Sequence, residues 1–129
     1  MKEAFVDTSC LAALALDERN AGTVRKRLAF FEHRTASPLL EAELRSVLRR
    51  EGYGAAERVE PWLASLEWAI PDRPLSVEIE TVLDAGYVRG ADCWHLATAL
   101  FYSPTPGDIT FLTLDARQRD VAKALGFAV

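Results

Sequence analysis

The sequence predicts an α/β domain built around a mainly parallel central sheet. Short apolar, strand-favouring runs alternate along the chain with segments whose apolar residues recur at helical spacing. The clearest strand, Ile109-Thr110-Phe111-Leu112-Thr113-Leu114, follows the turn-rich SPTPGD and leads straight into a helical stretch. A long helical region between the second and third clear strands makes this a helix-heavy version of the class.

Taken in order, Ala4-Phe5-Val6 reads as a first short strand, followed by a helix through Leu11, Leu14 and Leu16. Ala21 to His33 reads as a second helix, with Val24, Leu28 and Phe31 on one face and Arg25-Lys26-Arg27 mostly off it. Thr35-Ala36-Ser37 forms a brief strand, and Pro38 sits where a first helical turn tolerates it. Leu39 to Arg50 is a third helix ending at Gly52, and Ala55 to Leu66 a fourth. Glu67 to Ile70 is a further short strand closed by Pro71, and Leu75 to Leu83 is helical up to Gly86. Ala91 to Phe101 is a strongly apolar helix after Gly90; Asp115 to Leu125 is a last helix with Gly126 at its end. Phe127-Ala128-Val129 adds a final strand.

Size and composition narrow the function. A chain of 129 residues is read as one domain, residues 1–129, able to bury a real core. Half the residues are hydrophobic, which argues against disorder, and no apolar run is long enough to span a bilayer. The start, MKEAFVDTSC, carries Glu3 and enters a strand at once, a poor secretory signal. Two cysteines, Cys10 and Cys93, are too few for a disulfide framework or a closed zinc site. The expectation is a cytoplasmic protein with reduced thiols. A net charge of −4 provides no whole-protein positive field for nucleic acid.

The chemistry lies in the acids. In open parallel sheets, ligands bind outside the carboxyl ends of the strands. Asp7 ends the first strand, Asp115 follows ITFLTL at the same edge, and Asp92 opens the helix of RGADCWHLATA. The third helix offers two further candidates. Glu41 has Arg45 four residues on, the arrangement of an exposed ion pair, whereas Glu43 has Leu39, Leu40 and Val47 as helical neighbours. The neighbours favour Glu43. Carboxylates gathered at one edge repel one another and raise their own pKa values unless a cation lies among them. Oxygen ligands without clustered Cys or His suit Mg²⁺ or Mn²⁺.

Each residue also has a blander explanation. Asp7-Thr8-Ser9 reads equally as a helix N-cap cluster, and Asp92 and Asp115 as acids favoured at helix N-termini. A helical Glu is usually solvated, and His95, one turn after Asp92 on an apolar helix, reads as a packing histidine. Arg25-Lys26-Arg27 and Arg45, Arg49 and Arg50 read as solvated faces. The joint pattern, rather than any member, favours a metal site.

FVDTS, the Glu-Leu pair in a mid-chain helix, RGADCWHLATA and TLDARQRDVAKALGF together resemble the PIN-domain ribonucleases, in particular the small VapC-type toxins of prokaryotic toxin–antitoxin pairs. The likeness runs over essentially the whole chain. It implies a three-layer α/β/α PIN-like domain whose acidic set is Asp7, Glu43, Asp92 and Asp115. Leu44 directly after Glu43 matches the family's Glu-Leu pattern. Thr8 or Ser9 is implied to support Asp7, and Thr113 to be the hydroxyl partner of Asp115. The resemblance further implies Mg²⁺- or Mn²⁺-dependent endoribonuclease activity, a homodimer, and a cognate antitoxin protein that occludes the site. Arg45, Arg49, Arg50, Arg117 and Arg119 are candidate phosphate holders. Cys10, Cys93 and Trp94 stand close to acids in sequence, where they would soften or narrow the site. Leu14, Phe30 and Trp62 serve a partner groove or the core equally well.

Three rival readings remain. A haloacid-dehalogenase-type phosphohydrolase expects a second Asp at the position of Ser9 and a later Lys, yet beyond Lys2 the chain has only Lys26 and Lys123. A non-catalytic PIN binding module would not need four intact acids. A PIN nuclease with a housekeeping role in RNA processing would carry the same acids but have no antitoxin.

Overall fold

The computed structural model describes residues 2–53 and 59–129. Strand β1 (Glu3–Val6) is followed by helices α1 (Thr8–Ala15) and α2 (Ala21–Ala29), strand β2 (His33–Ala36), and helices α3 (Leu39–Arg50) and α4 (Glu60–Leu63). Strand β3 (Glu67–Trp68), helices α5 (Ser76–Ala85) and α6 (Gly90–Tyr102), strand β4 (Thr110–Leu112) and helix α7 (Ala116–Ala124) complete the order. The sheet runs β3-β2-β1-β4 with every pairing parallel, as expected of the α/β class. In register, Ala4 faces Thr110 and Val6 faces Leu112, so Asp7 and Thr113 leave the sheet side by side.

Both faces of the sheet are covered, which is why its strands read as continuous apolar runs. Ala4, Val6, Ala36 and Leu112 turn toward α1, α2, α3 and α4, where Leu11, Leu28, Leu40, Leu44 and Leu48 complete one core. Phe5, Phe111 and Ala69 turn the other way, toward Val82, Leu96, Val121 and Phe127. Phe5 and Phe111 stack across β1 and β4 with ring centroids 5.9 Å apart. The result is the three-layer α/β/α arrangement expected from the resemblance.

Several boundaries differ from the sequence expectation, each for a tertiary reason. The second helix stops at Ala29 because the backbone N–H groups of Glu32 and His33 donate to Lys2 O, drawing that segment into the sheet. The final strand reduces to one bridge between Thr110 and Ala128. Strand β4 ends at Leu112 because side-chain hydroxyls then take over from the ladder: Leu114 N–H donates to Ser9 Oγ and Asp115 N–H to Thr113 Oγ1. Strand β3 is only Glu67–Trp68. Residues 55–58 of the expected fourth helix lie outside the described residues, and α4 covers only Glu60–Leu63 of the remainder. The third helix has the expected bounds: Gly52 takes a left-handed φ of 87° and lets Tyr53 N–H reach Leu48 O at 2.8 Å.

Candidate active site

Asp7 sits at the end of β1 with 5% of its surface exposed. It is the N-cap of α1: Oδ2 accepts from Ser9 N–H at 3.0 Å. Thr113 Oγ1 approaches Oδ2 at 3.4 Å, and Oδ1 accepts from Gln118 Nε2 at 3.2 Å. A second acid, Asp115, caps α7 by accepting from Gln118 N–H at 2.8 Å. The cap explanation therefore holds for both strand-ending acids and leaves both at the sheet's carboxyl edge.

Glu43 reaches the same place from α3. Its Oε1 accepts from Thr8 Oγ1 at 2.7 Å and lies 2.5 Å from His95 Nε2. These hydrogen bonds hold the Glu43 carboxyl below its ordinary pKa, the histidine contact contributing most and partial burial opposing it. Glu41 instead pairs with Arg45 at 2.8 Å, on the outer side of the helix.

Asp92, in the first turn of α6, is half-buried, and its carboxylate takes no hydrogen bond among the described residues. Burial, followed by the charges of Asp7 and Asp115 and, more weakly, Glu43, pushes its pKa up. Side chains from β1, α3, α6 and the β4–α7 junction thus converge although more than a hundred residues separate the outermost in sequence.

The hydroxyl roles are redistributed. Thr8 supports Glu43 rather than Asp7, while Ser9 supports Asp7 through its backbone N–H. Thr113 meets Asp115 at its backbone N–H, 3.1 Å away, and its hydroxyl also donates to Gln118 Oε1 at 2.6 Å.

Two residues matter more here than sequence reasoning allowed. Gln118 is fully buried; its Nε2 serves Asp7 and, at 3.4 Å, the Asp92 carbonyl. A signal for it existed. Asp115-x-x-Gln118 has the spacing of a helix capping box, whose glutamine ordinarily folds back to the cap's N–H. Here that half of the box is diverted inward. His95 is fully buried as a packing residue would be, but its Nε2 lies on Glu43 and 3.8 Å from Asp7 Oδ1. Its Nδ1 is buried with no partner among the described residues.

Other candidates turn away or are already engaged. Burial, then Asp7, pushes the Cys10 thiol up to about 12, leaving it protonated and a poor ligand. Cys93 is buried against Ile79 O, and Trp94 packs on the α5 side of α6, so neither narrows the acid edge. Arg45 is held between Glu41 and Glu60, Arg50 beside Glu51, and Arg117 over the Tyr87 ring. Arg119 differs: it spends one N–H on Thr113 O at 2.8 Å and is in no ion pair among the described residues. Leu14 is core, Trp62 is partly buried against it, and Phe30 is 57% exposed.

The donor chemistry fits a hard divalent cation: carboxylate oxygens converge, both oxygens of Asp92 have no donor among the described residues, and the nearby histidine is occupied by Glu43. Among the described residues, no three His, Cys, Asp or Glu side chains close into a ready-made cage. Mg²⁺ needs none, since it keeps several waters and takes one or two carboxylates.

Comparison with known proteins identifies the family. The PIN domain family matches residues 4–124. The chain is also 31% identical over 129 residues, all of its length and 97% of the relative's, to Ribonuclease VapC46 of Mycobacterium tuberculosis strain H37Rv. With the acid-edged parallel sheet and a match over nearly its whole length, the chain belongs to the PIN-domain family, in its VapC-type branch.

Proposed function

We propose that residues 1–129 act as one PIN domain with endoribonuclease activity dependent on Mg²⁺ or Mn²⁺, serving as the toxin of a toxin–antitoxin pair. The observation that carries this reading is the Asp92 carboxylate, left without a donor among the described residues and pushed toward protonation by burial and then by the charges of Asp7 and Asp115. Asp7, Glu43, Asp92 and Asp115 would hold the ion. When bound, it supplies a water activated for attack on an RNA phosphodiester and offsets the charge that develops there. Thr8 and His95 hold Glu43 in its rotamer. Gln118 and the Ser9 N–H fix Asp7 by donating to opposite oxygens. The toxin role and a cognate antitoxin rest on the likeness to a protein named as a VapC ribonuclease.

The test compares RNA cleavage by the wild type and Asp7→Asn, with Mg²⁺ or Mn²⁺ and with EDTA. Asn retains the size and capping ability of Asp but loses the charge. Cleavage should be lost in both cases; cleavage that survives either treatment ends the metal-nuclease reading. Induced expression in a bacterial host should arrest growth with the wild type but not with Asp7→Asn.

A further inference from the structure

The proposed activity leaves the basic run Arg25-Lys26-Arg27 unused, and the structure divides it between two flanks of α2. Arg25 lines a hollow toward Trp62 and Arg34, between α1, α2 and α4. Lys26 and Arg27 face the opposite flank, where a cavity of about 620 Å³ also takes in Lys2 and Phe30. Arg27 and Thr23 border a second cavity of about 230 Å³, which runs beside β4 to Thr113 and Arg119. Thr23 and Arg27 line both, so the two cavities follow β4 as one groove from Thr110 to Thr113, the residue beside Asp7 and Asp115.

The groove's charge is out of keeping with a protein of net charge −4. Lys2, Lys26, Arg27 and Arg119 line it, and none is in an ion pair among the described residues. Its acids, Glu3 and Asp108, accept hydrogen bonds from Tyr102 and Thr105. Arg27 and Arg119 line the inner cavity together, with Cys10 in the same wall. At the outer end, the exposed Phe30 ring lies 3.8 Å beneath Lys2 Nζ.

Unpaired cations spaced along a groove, an exposed aromatic ring and an inner end at the acid edge form a track for single-stranded nucleic acid. An acidic peptide would use the cations but would gain little from the ring or from continuity with the acids. We propose that this α2–β4 groove is a binding site for the single-stranded RNA flanking the scissile bond. Arg27 and Arg119 meet backbone phosphates near the acid edge, Lys26 and Lys2 meet phosphates farther out, and Phe30 stacks a base. This assignment rests on the ribonuclease reading for its ligand.

The experiment measures fluorescence anisotropy of labelled oligouridine strands in EDTA across a salt series. The strands are about 4 and about 12 nucleotides long, bracketing a short contact and a full groove. The proteins are the wild type, Lys26→Glu, Arg27→Glu and Arg25→Glu, the last being the same charge reversal on the other flank of α2. Lys26→Glu and Arg27→Glu should each weaken the longer strand about tenfold and lower the salt slope by about one. Arg25→Glu should change it less than about twofold, and the shorter strand should be nearly indifferent to all three. Equal losses in all three variants, or none, would overturn the groove. Polyglutamate binding more tightly than RNA, with the same dependence on Lys26 and Arg27, would overturn it in favour of an acidic protein segment. Binding in EDTA requires no cleavage, so an inactive wild type would remove the activity alone, and a missing flank contrast the groove alone.

Discussion

At the scale of single residues, Gln118 shows why the acid edge holds its shape. A fully buried primary amide is tolerated only if its donors and acceptor are used. Gln118 meets that requirement by joining Asp7, Thr113 and the Asp92 carbonyl, with its own N–H on Asp115. Gln118→Leu should therefore cost about 1–3 kcal/mol, because it strands a buried carboxylate and hydroxyl. A drop in the urea midpoint would register the loss. Asp92 itself opposes folding when no cation is present. The pKa of Asp92 is raised in the folded protein, so its penalty appears as pH rises from the unfolded Asp value through the folded one. Asp92→Asn should thus stabilise the metal-free protein at neutral pH, by less than about 1 kcal/mol given the screening at a partly exposed site. The gap to wild type should close in acid, and melting curves across pH would show it. Glu43 has the opposite sign: its stabilising contribution is present above the ordinary Glu value and is lost as pH falls through its depressed one.

At the scale of elements, α7 carries Asp115 and Gln118, and its position depends on a close approach to the end of α5. A Cβ on Gly86 would lie 2.9 Å from Val121 Cγ2, and the β-branched valine has little freedom to move aside. Gly86→Ala should destabilise by about 1–2 kcal/mol through overpacking. It should also reduce cleavage by shifting α7. An unchanged melting temperature would mean that α7 yields at no cost. Most elements were legible because their patterns are local: the apolar spacing of α3 and Gly52 after it fixed the third helix. The end of α2 was not, because Phe31 continues the helical stripe while Lys2 O, just ahead of β1, claims Glu32 and His33. Thr113 and Leu114 looked like strand for a similar reason; their partners are Ser9 and Asp115, which a linear pattern does not reveal.

At the scale of the molecule, a charge of −4 argued against nucleic acid, yet Lys2, Lys26, Arg27 and Arg119 gather along one groove. Arg45, Arg50 and Arg73 are neutralised by nearby glutamates, whereas those along the α2–β4 groove are not. Among the described residues, no helix is long and apolar enough to cross a membrane. Leu83 and Tyr87, 40% and 67% exposed, border an apolar hollow with Ile79, Val88 and Trp94 at the end of α5. The homodimer implied by the resemblance is proposed to use this surface. Leu83→Glu with Tyr87→Glu should halve the mass measured by light scattering without lowering the melting temperature of the monomer, whereas an unchanged mass would rule this surface out as the dimer contact.

The sequence by itself determined the class of fold, the strands that end in acids and the outward pairing of Glu41 with Arg45. These follow from hydrophobic period and near-neighbour chemistry, which act over a few residues. Only the tertiary structure decided that Thr8 serves Glu43, that His95 and Gln118 join the acid edge, and that Lys26 and Arg27 part from Arg25. Those outcomes depend on which side chains meet across the sheet, and buried polar groups accept whatever partner the packing brings within reach.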